Sequence, residues 1–256
     1  MGKEHHLTKR RQYILTAVEE AGEISVISLS KRFNVSEVTI RQDLQALSEQ
    51  GVLLRVRGGA LSPNTLPEFS FDVRQQQRAA EKAQIGREAA NLINYGDTIF
   101  LDASTTAQAV IPFIKKLPEL TVITNSLKAA MNLLDAPQIQ VMMPGGTLRR
   151  ESISLIGFWH DELLANFHVQ TGFFGARGLT VEEGLTDVNL NEVALKRELV
   201  NHCRRVVGML DSTKWGNVAS ATFAQLSQVH QVISSLNAPP DLVDQVRRHG
   251  VEVVLV

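Results

Sequence analysis

The sequence lacks several features that whole classes of protein require. Its 256 residues include one cysteine, Cys203, so no disulfide can form within the chain and a reducing compartment is expected. No apolar run approaches about 18 residues, and the N-terminus has no apolar segment of the signal-peptide type. We therefore expect a cytoplasmic protein without a membrane partner, in which Cys203 is a small, partly buried core residue.

Nucleotide, metal and hydrolase motifs are also missing. The chain contains no G-x-G-x-x-G, no G-x-x-x-x-G-K-[ST] and no G-x-S-x-G, and no His/Cys/Asp cluster has metal-ligand spacing. The usual sequence evidence for a dinucleotide, a nucleoside triphosphate, a metal ion or a Ser-His-Asp triad is thus lacking. We expect no cofactor and no metal, and we assign no catalytic residue.

Residues 1–60 show the pattern of three short helices. The spacing of apolar residues predicts helices over 8–21 and 25–33, and a third that follows Ser36 and ends at Gly51. Ser25 is a plausible N-cap of the second helix and Ser36 a good N-cap of the third, because a serine hydroxyl can accept a hydrogen bond from a free N–H of the first turn. The third helix has one apolar stripe, which consists of Ile40, Leu44 and Leu47.

A basic hairpin follows the third helix. Residues 52–62, VLLRVRGGALS, alternate apolar and basic positions and contain Gly58-Gly59, which favours a tight turn between two strands. Three helices and such a hairpin make a winged helix-turn-helix. In that arrangement the third helix enters the major groove of DNA and the wing contacts the backbone.

The exposed side of the third helix carries side chains that suit the edge of DNA bases. Val38 can contact a thymine methyl group, Gln42 can pair with adenine, and Arg41 can reach guanine or a phosphate. For the helix alone, an ordinary solvated face explains these residues equally well, but the short second helix and the basic wing favour DNA binding. The expected DNA-contacting residues are Ser36, Val38, Thr39, Arg41, Gln42, Arg55, Arg57, Gly58 and Gly59.

Bulk charge does not attract this chain to nucleic acid, because its net charge is −1. Residues 1–60 carry nine basic and seven acidic side chains, so DNA binding must depend on a local basic surface. Asp43 lies beside the buried stripe of the third helix. We expect it to pair with Arg10 or Arg11 rather than to face phosphate.

The next segment changes character. Residues 61–71 contain two prolines and no helical period, which is typical of a linker, and residues 72–94 predict one continuous helix. The expected organisation is a winged helix-turn-helix domain over 1–60, a linker and connecting helix over 61–96, and an α/β effector-binding domain over 97–256.

Short apolar runs rich in β-branched residues alternate with helical stretches after residue 97. The predicted strands are 98–102, 120–124, 139–143, 171–175, 205–210, 229–234 and 251–256. The predicted helices between them include 105–116, 126–134, 191–203 and 240–249. This alternation indicates a mainly parallel sheet, which binds ligands beyond the carboxyl ends of its strands.

Hydroxyl, amide, charged and glycine residues follow most of these strands. Each one alone is explained by helix capping, but their convergence on one rim favours a pocket for a sugar phosphate. We expect Thr105, Thr106 and Lys214 to hold the phosphate. The candidates for the ligand hydroxyls are Asp102, Asn125, Glu192 and Asp211. The expected effector-binding residues are Asp102, Ser104, Thr105, Thr106, Thr124, Asn125, Gly145, Gly146, Gly175, Arg177, Glu192, Lys196, Asp211 and Lys214.

Taken together, these motifs resemble the DeoR-type bacterial repressors of sugar metabolism over nearly the whole chain. The N-terminal match consists of Arg10, Ile14, Val18, then Ser36-x-x-Thr39-Ile40-Arg41-Gln42-Asp43-Leu44 and Arg55-x-Arg57-Gly58-Gly59. The C-terminal match consists of Asp102-Ala-Ser-Thr-Thr, Thr124-Asn125-Ser126, Pro144-Gly145-Gly146, Gly175, Glu192 with Lys196, and Asp211-Ser-x-Lys214.

The resemblance implies a repressor that binds double-stranded operator DNA and forms a homo-oligomer, a dimer or a tetramer. It also implies a C-terminal domain similar to ribose-5-phosphate isomerase and CoA-transferase folds, and release from DNA by a phosphorylated sugar. The chain departs from the family pattern at two places. It has Gly175-Ala-Arg-Gly178 where members often have Gly-x-Asp-Gly, and Arg57 where many have histidine.

An enzyme with a DNA-binding appendage is the alternative. A sugar-phosphate isomerase or a CoA or acyl transferase needs a carboxylate base with a lysine or amide opposite, and Asp102, Glu192 and Lys196 have the required chemistry. The same residues serve equally to hydrogen-bond a ligand, and a fold shared with enzymes is no evidence of turnover. We expect a sensor rather than an enzyme.

Overall fold

The computed structural model describes residues 2–49, 53–61, 71–157 and 168–256, which form two compact units that divide after Arg78. The expected helix end at Gly51 and most of the linker expected over 61–71 lie outside the described residues. No helix in the described part of the chain combines the length and the apolar character needed to cross a membrane.

The first unit contains the three predicted helices, but the first begins at Gly2 and not at residue 8 as predicted. They are α1 (Gly2–Ala21), α2 (Val26–Phe33) and α3 (Glu37–Glu49). Gly22 ends α1 with a φ of 75°, and Asn34 ends α2 in the left-handed region with a φ of 50°. The Ser25 hydroxyl accepts from the Ser28 N–H at 3.0 Å and caps α2. The boundaries expected for α2 and for the start of α3 are therefore confirmed.

The sheet of the first unit has one strand more than the predicted two-stranded wing. The first unit has a three-stranded antiparallel sheet of order β1-β3-β2, formed by β1 (Glu23–Ser25), β2 (Leu54–Val56) and β3 (Gly59–Leu61). Gly59 pairs with Ser25, and a Cβ atom on Gly59 would lie 2.1 Å from the carbonyl oxygen of Ile24. Close strand pairing, and not an approach to DNA, therefore requires the second glycine of the wing.

The predicted apolar stripe of α3 forms the centre of the first core. Ile40 and Leu44 are fully buried and Leu47 is 2% exposed, and they pack with Ile14 and Leu29 of the other helices. Burial of an aliphatic side chain of this size contributes about 1.5–3 kcal/mol, which is enough to orient the opposite face of α3 toward solvent. This contact fixes the face on which Val38, Arg41 and Gln42 lie.

Asp43 is tied to α1, as its position beside the stripe predicts. Its carboxylate accepts hydrogen bonds from Nε of both Arg10 and Arg11, the latter at 3.0 Å. These hydrogen bonds join the first and third helices.

The second unit is an α/β domain. After the short helix α4 (Phe71–Gln76) of the first unit, its helices are α5 (Ala79–Ala90), α6 (Ile111–Ile114), α7 (Leu127–Asn132), α8 (Leu190–His202) and α9 (Pro240–Arg248). Its strands are β4 (Thr98–Leu101), β5 (Thr121–Thr124), β6 (Gln140–Met142), β7 (Thr147–Arg149), β8 (Ser154–Ile156), β9 (Val169–Phe174), β10 (Gly178–Thr180), β11 (Gly184–Asp187), β12 (Cys203–Leu210), β13 (Ala221–Ala224), β14 (Gln231–Ser234) and β15 (Glu252–Leu255).

All seven predicted strands are found in one parallel sheet of order β15-β14-β12-β9-β4-β5-β6. From β4 the chain adds β5 and β6 on one side, and from β9 it adds strands on the other side. The point between β4 and β9 is therefore the topological switch of the sheet, the place where α/β folds bind ligands. Two smaller antiparallel sheets, β7–β8 and β10–β11–β13, were not expected from the sequence.

The sheet is buried on both faces. Phe100 and Phe174 belong to one apolar cluster, whereas Ile99, Leu101 and Phe173 belong to the other. Burial on both faces explains why these strands appear in the sequence as continuous apolar runs rather than as an alternating pattern.

Two helices that were predicted to be continuous are interrupted in the structure. The helix expected over 72–94 is split into α4 and α5, and Arg78 between them has a φ of 52°, in the left-handed region. The helix expected over 105–116 consists of a 3₁₀ turn, Ala107–Val110, followed by the single turn α6. Pro112 in α6 has no N–H to donate to residue 108, which disfavours a regular α-helix through this segment.

We predict that Asp43→Ala weakens the first unit by about 1–3 kcal/mol, because it leaves two partly buried arginines without their anion. The Asp43 side chain is 2% exposed, and those of Arg10 and Arg11 are 16% and 32% exposed. Hydrogen exchange of the α1 and α3 amides measures the change. Glu23→Gln, on an exposed acid of β1, is the control and should leave exchange unchanged. Equal exchange rates in both variants would contradict the role given to Asp43.

Candidate functional site

One exposed surface of the first unit brings together most of the residues expected to contact DNA. Val38 is 61% exposed, and it lines a cleft of about 390 Å³ between α3 and the wing. The residues that line this cleft are Val38, Arg41, Gln42, Gln45, Ala46 and Arg55. Arg57 and Gly58 lie exposed at the wing turn, where Gly58 has a φ of 97° and open space around it.

Four of the expected DNA contacts already have partners in the protein. The Ser36 hydroxyl accepts from the Thr39 N–H at 3.2 Å and lies 2.9 Å from the Thr39 hydroxyl, so both side chains form the N-cap of α3. Arg41 donates to Glu37 at 2.6 Å, and Arg55 donates to Gln45 at 2.5 Å. Glu37 and Gln45 were not singled out in the sequence, although an acid four residues before an arginine is a recognisable helix pair.

The second unit places Asp102 and Gly175 at the switch point of its sheet. Asp102 follows β4, and its carboxylate accepts from the N–H groups of Ser104 at 2.6 Å and Gly175 at 3.1 Å. A Cβ atom on Gly175 would lie 2.3 Å from the Ser104 hydroxyl. Glycine is needed here because the loops after β4 and β9 pack against each other.

Lys196 is a buried ionisable group of this rim. Its ammonium lies 2.8 Å from Asp102 and 2.7 Å from Asp187, and it donates to the carbonyl of Gly175 at 3.0 Å. Burial opposes its charge, but the carboxylates of Asp102, Asp187 and Glu192 outweigh burial and raise the pKa of Lys196. The same attraction overcomes burial at Asp187 and lowers the pKa of that carboxyl. Asp187, at the end of β11, was not predicted.

Glu192 is held in a second buried cluster. Its Oε1 accepts from the hydroxyls of Ser152 at 2.6 Å and Ser154 at 2.8 Å, and it lies 2.9 Å from Nη1 of Arg149. Burial disfavours the charged carboxylate, but Lys196 and Arg149 overcome this effect and lower the pKa of Glu192. The β7–β8 hairpin supplies the three partners, and the sequence analysis missed them.

The residues after β5 have different roles. Thr124 donates its hydroxyl proton to the carbonyl of Leu101 at 2.7 Å and accepts from the Ser126 N–H, so its hydroxyl stabilises the strand end. Asn125 is 3% exposed, and its Nδ2 donates to Leu155 at 3.4 Å. Among the described residues, no donor is found for the Asn125 Oδ1 atom. That oxygen is suited to accept a hydrogen bond from a ligand.

Hydroxyls at the start of the 3₁₀ turn are largely enclosed. Thr105 and Thr106 are 8% and 6% exposed, and the Ser104 hydroxyl accepts from the Ala107 N–H at 3.1 Å. Because this turn is short, its dipole is smaller than that of the long helix expected from the sequence.

Within the loop after β12, Asp211 makes a hydrogen bond and an ion pair that the sequence did not reveal. Asp211 accepts from the N–H of Thr213 at 3.0 Å and lies 3.9 Å from the ammonium of Lys214. Burial raises and Lys214 lowers the pKa of Asp211, and the lowering dominates.

Glu81 of α5 accepts from the N–H of Ser212 at 3.1 Å and from the hydroxyl of Ser235 at 2.7 Å. Glu81 thus joins the ends of β12 and β14 to the first helix of the unit.

The remaining predicted positions are Arg177, Gly145 and Gly146. Arg177 lies 3.9 Å from Asp187, and burial lowers the pKa of its guanidinium although Asp187 opposes this. A Cβ atom on Gly145 would meet no atom within 4 Å, whereas Gly146, with a φ of 131°, would place one 2.4 Å from the Ile156 carbonyl oxygen. Gly145 is therefore open to a ligand, and Gly146 is required by the neighbouring hairpin.

Cys203 lies away from this chemistry. Burial raises the pKa of its thiol to about 12, so the neighbouring arginines do not activate it as a thiolate. Among the described residues, no group of three His, Cys, Asp or Glu side chains is arranged to hold a metal ion.

Two family descriptions match the chain. Residues 10–65 match a DeoR-like helix-turn-helix domain, and residues 77–235 match a DeoR C terminal sensor domain. The first range contains all of the expected DNA-contacting residues, and the second contains all of the expected effector-binding residues.

Individual proteins show the same similarity over most of the chain. The HTH-type transcriptional regulator GolR of Listeria innocua is 37% identical over 227 residues, 88% of this chain and 89% of that protein. The glycerol-3-phosphate regulon repressor of Escherichia coli is 29% identical over 248 residues, 97% of this chain and 98% of that protein. A solved D-ribose-5-phosphate isomerase in complex with phospho-erythronic acid is 12% identical, has a TM-score of 0.40 and covers 52% of each chain. The last likeness concerns the fold alone.

We predict that Lys196→Met destabilises the second unit by about 3–5 kcal/mol, because two buried carboxylates lose their cation. The matched control is Lys115→Met, since Lys115 is 31% exposed and pairs with an Asp135 side chain that is 70% exposed. Solvent screens that pair, so its loss should change stability little. Urea unfolding at neutral pH measures both, and equal losses would contradict a special role for Lys196.

The difference in stability between wild type and Lys196→Met depends on pH. The pKa of Asp187 and of Glu192 is lowered in the folded protein, so their stabilising contribution is complete above the unfolded carboxyl pKa of about 4. It is lost as the pH falls through the lower, folded values. The difference in stability between wild type and Lys196→Met should therefore shrink below about pH 4.

Proposed function

This chain belongs to the DeoR family of helix-turn-helix transcriptional regulators, and from that premise we propose that it represses a carbohydrate-utilisation operon and leaves its operator when a phosphorylated sugar binds the second unit. As a regulator of chromosomal genes it would act in the cytoplasm.

The observation that carries the DNA-binding half is the solvent-facing surface of α3. The buried stripe of α3 fixes Val38, Arg41 and Gln42 on the exposed side, next to a wing that carries Arg55 and Arg57. In the proposed complex, the residues of α3 read base edges in the major groove, and the two wing arginines contact phosphates.

The sensor half is supported by polar groups around the switch point of the sheet. We assign the phosphate to Lys214 with Thr105 and Thr106, and ligand hydroxyls to the unpaired oxygen of Asn125. Asp102 and Glu192 have stable partners, so we propose that they act mainly by holding Lys196 and Arg149 in place. The name of the glycerol-3-phosphate regulon repressor adds support for a small phosphorylated effector.

The state of the carboxylates favours a sensor over an enzyme. A general base for sugar isomerisation works best with a pKa near the working pH. Glu192 has a lowered pKa and is bonded to two serines and an arginine, and Asp102 is bonded to Lys196. Glu192 is therefore a poor proton acceptor, and Asp102 is engaged in its ion pair with Lys196. We propose that the protein binds its ligand without turning it over.

A single winged unit reads few base pairs. We propose a homo-oligomer, a dimer or a tetramer, so that two units contact related half-sites on double-stranded DNA. The effector must bind the operator-competent and released states with different affinities. A change in operator affinity of about 10–100-fold requires only about 1.4–2.8 kcal/mol of coupling.

We predict distinct effects for two arginines on binding to a duplex selected from a random pool. Arg41→Ala should weaken binding by roughly 1–3 kcal/mol if it contacts a base, and mainly for sequences that carry that base. Arg57→Ala should weaken binding to all sequences and lower the salt slope by about 1, as expected for a phosphate contact. Titrations at several salt concentrations separate the two effects. Unchanged binding in both variants would contradict the proposed orientation on DNA.

We also predict that a sugar phosphate raises the melting temperature of the protein with increasing ligand concentration, because it binds the folded state. A panel of sugar phosphates is compared with the same sugars without phosphate and with inorganic phosphate. A hit should fail to stabilise Lys214→Met and should release the wild type from DNA. A hit that stabilises both proteins equally would remove Lys214 from the site, and silence across the panel would contradict the sensor half.

A further inference from the structure

The first turn of α3 carries an acid on the surface that the proposed function places against DNA. Glu37 is the first residue of α3, its side chain is 44% exposed, and it precedes the exposed Val38. Phosphates repel a carboxylate, so contact with the DNA backbone does not account for an acid here.

Two effects within the protein favour Glu37 to some extent. It lies at the positive end of the helix dipole, and it accepts a hydrogen bond from Arg41, one turn later. Both effects are weak for exposed side chains. The second also neutralises Arg41, whose side chain is 50% exposed and faces the wing cleft. The pair therefore weakens purely electrostatic attraction to DNA.

The chemistry of the two groups selects the base. An ionised carboxylate only accepts hydrogen bonds, and the donors in the major groove are cytosine N4 and adenine N6. Adenine N6 lies beside the acceptor N7, which repels a carboxylate, whereas cytosine presents no acceptor in the groove. Arg41 uses Nη2 for Glu37 and has further N–H groups, which suit guanine O6 and N7.

From this we infer that Glu37 and Arg41 together read one C·G base pair, with Glu37 accepting from cytosine N4 and Arg41 donating to the paired guanine. The spacing agrees with this assignment. The bonded atoms of Arg41 and Glu37 are 2.6 Å apart, and cytosine N4 lies about 2.9 Å from guanine O6 on the groove edge of the pair. The inference rests on the proposed DNA-binding function and extends it to a named base pair.

The test is selection of duplexes from a randomised pool by four full-length proteins: wild type, Glu37→Gln, Arg41→Lys and Glu23→Gln. The lysine variant keeps the charge but loses the forked guanidinium. Glu23→Gln removes the same charge as Glu37→Gln from an exposed position on β1. The two affected side chains of α3 are exposed, and circular dichroism melts verify that each variant is folded.

We expect the wild type and Glu23→Gln to select C·G at one position in each half-site. Glu37→Gln and Arg41→Lys should each lose that preference at the same base pair, by a factor on the order of ten. Glutamine pairs well with adenine, so Glu37→Gln should in addition select A in place of C.

Three outcomes overturn the inference. Glu37→Gln selects the wild-type sequences with uniformly tighter binding, which means that Glu37 acts only through its charge. The two α3 variants change preferences at different base pairs, which means that they do not read one pair. The wild type binds DNA with no sequence preference, in which case the proposed operator recognition fails, and the inference with it.

Discussion

The buried ammonium of Lys196 is the interaction on which the rim of the second unit depends. It contacts Asp102 after β4, Gly175 after β9 and Asp187 at the end of β11, and it belongs to α8 itself. These elements meet at the switch point, where the two halves of a parallel sheet otherwise diverge. An ion that is removed from water must be compensated fully by its neighbours, and this requirement fixes the positions of three loops at once. Glu192, one turn before Lys196, extends the same constraint to the β7–β8 hairpin.

The elements that the sequence predicts are those with a local cause. Strands buried on both faces appear as continuous apolar runs, so all seven strands of the parallel sheet were predictable. The caps at Ser25 and Ser36 were predictable for the same reason, because a cap involves residues three positions apart. The strands of the two small sheets have three or four residues each, too few to show a period.

The hydrogen-bond and ion-pair partners of the site residues were harder to predict from the sequence. Most of the polar residues at the strand ends were identified, because strand ends in a parallel sheet share one edge. Their bonds depend on contacts far apart in the sequence: Ser235 lies 154 positions from Glu81, and Glu192 lies 40 positions from Ser152. Composition and spacing contain no information about such pairs. As a result, residues assigned to ligand hydroxyls, such as Glu192, prove to be bonded within the protein.

A rim whose charges are largely compensated in the absence of a ligand has a consequence for sensing. A ligand that binds both functional states of the rim equally well does not shift their equilibrium. A ligand that replaces existing partners in one of the two states changes the balance, and replacement is easiest where an ion pair is longest. The pair of Lys214 and Asp211 is 3.9 Å apart, whereas Lys196 is within 2.8 Å of both of its carboxylates. In the proposed sensor, a phosphate that competes for Lys214 would rearrange the loop after β12, in which Ser212 is bonded to Glu81 of α5. The tight ion cluster would then be the fixed part of the proposed sensor, and the loop after β12 the part that responds.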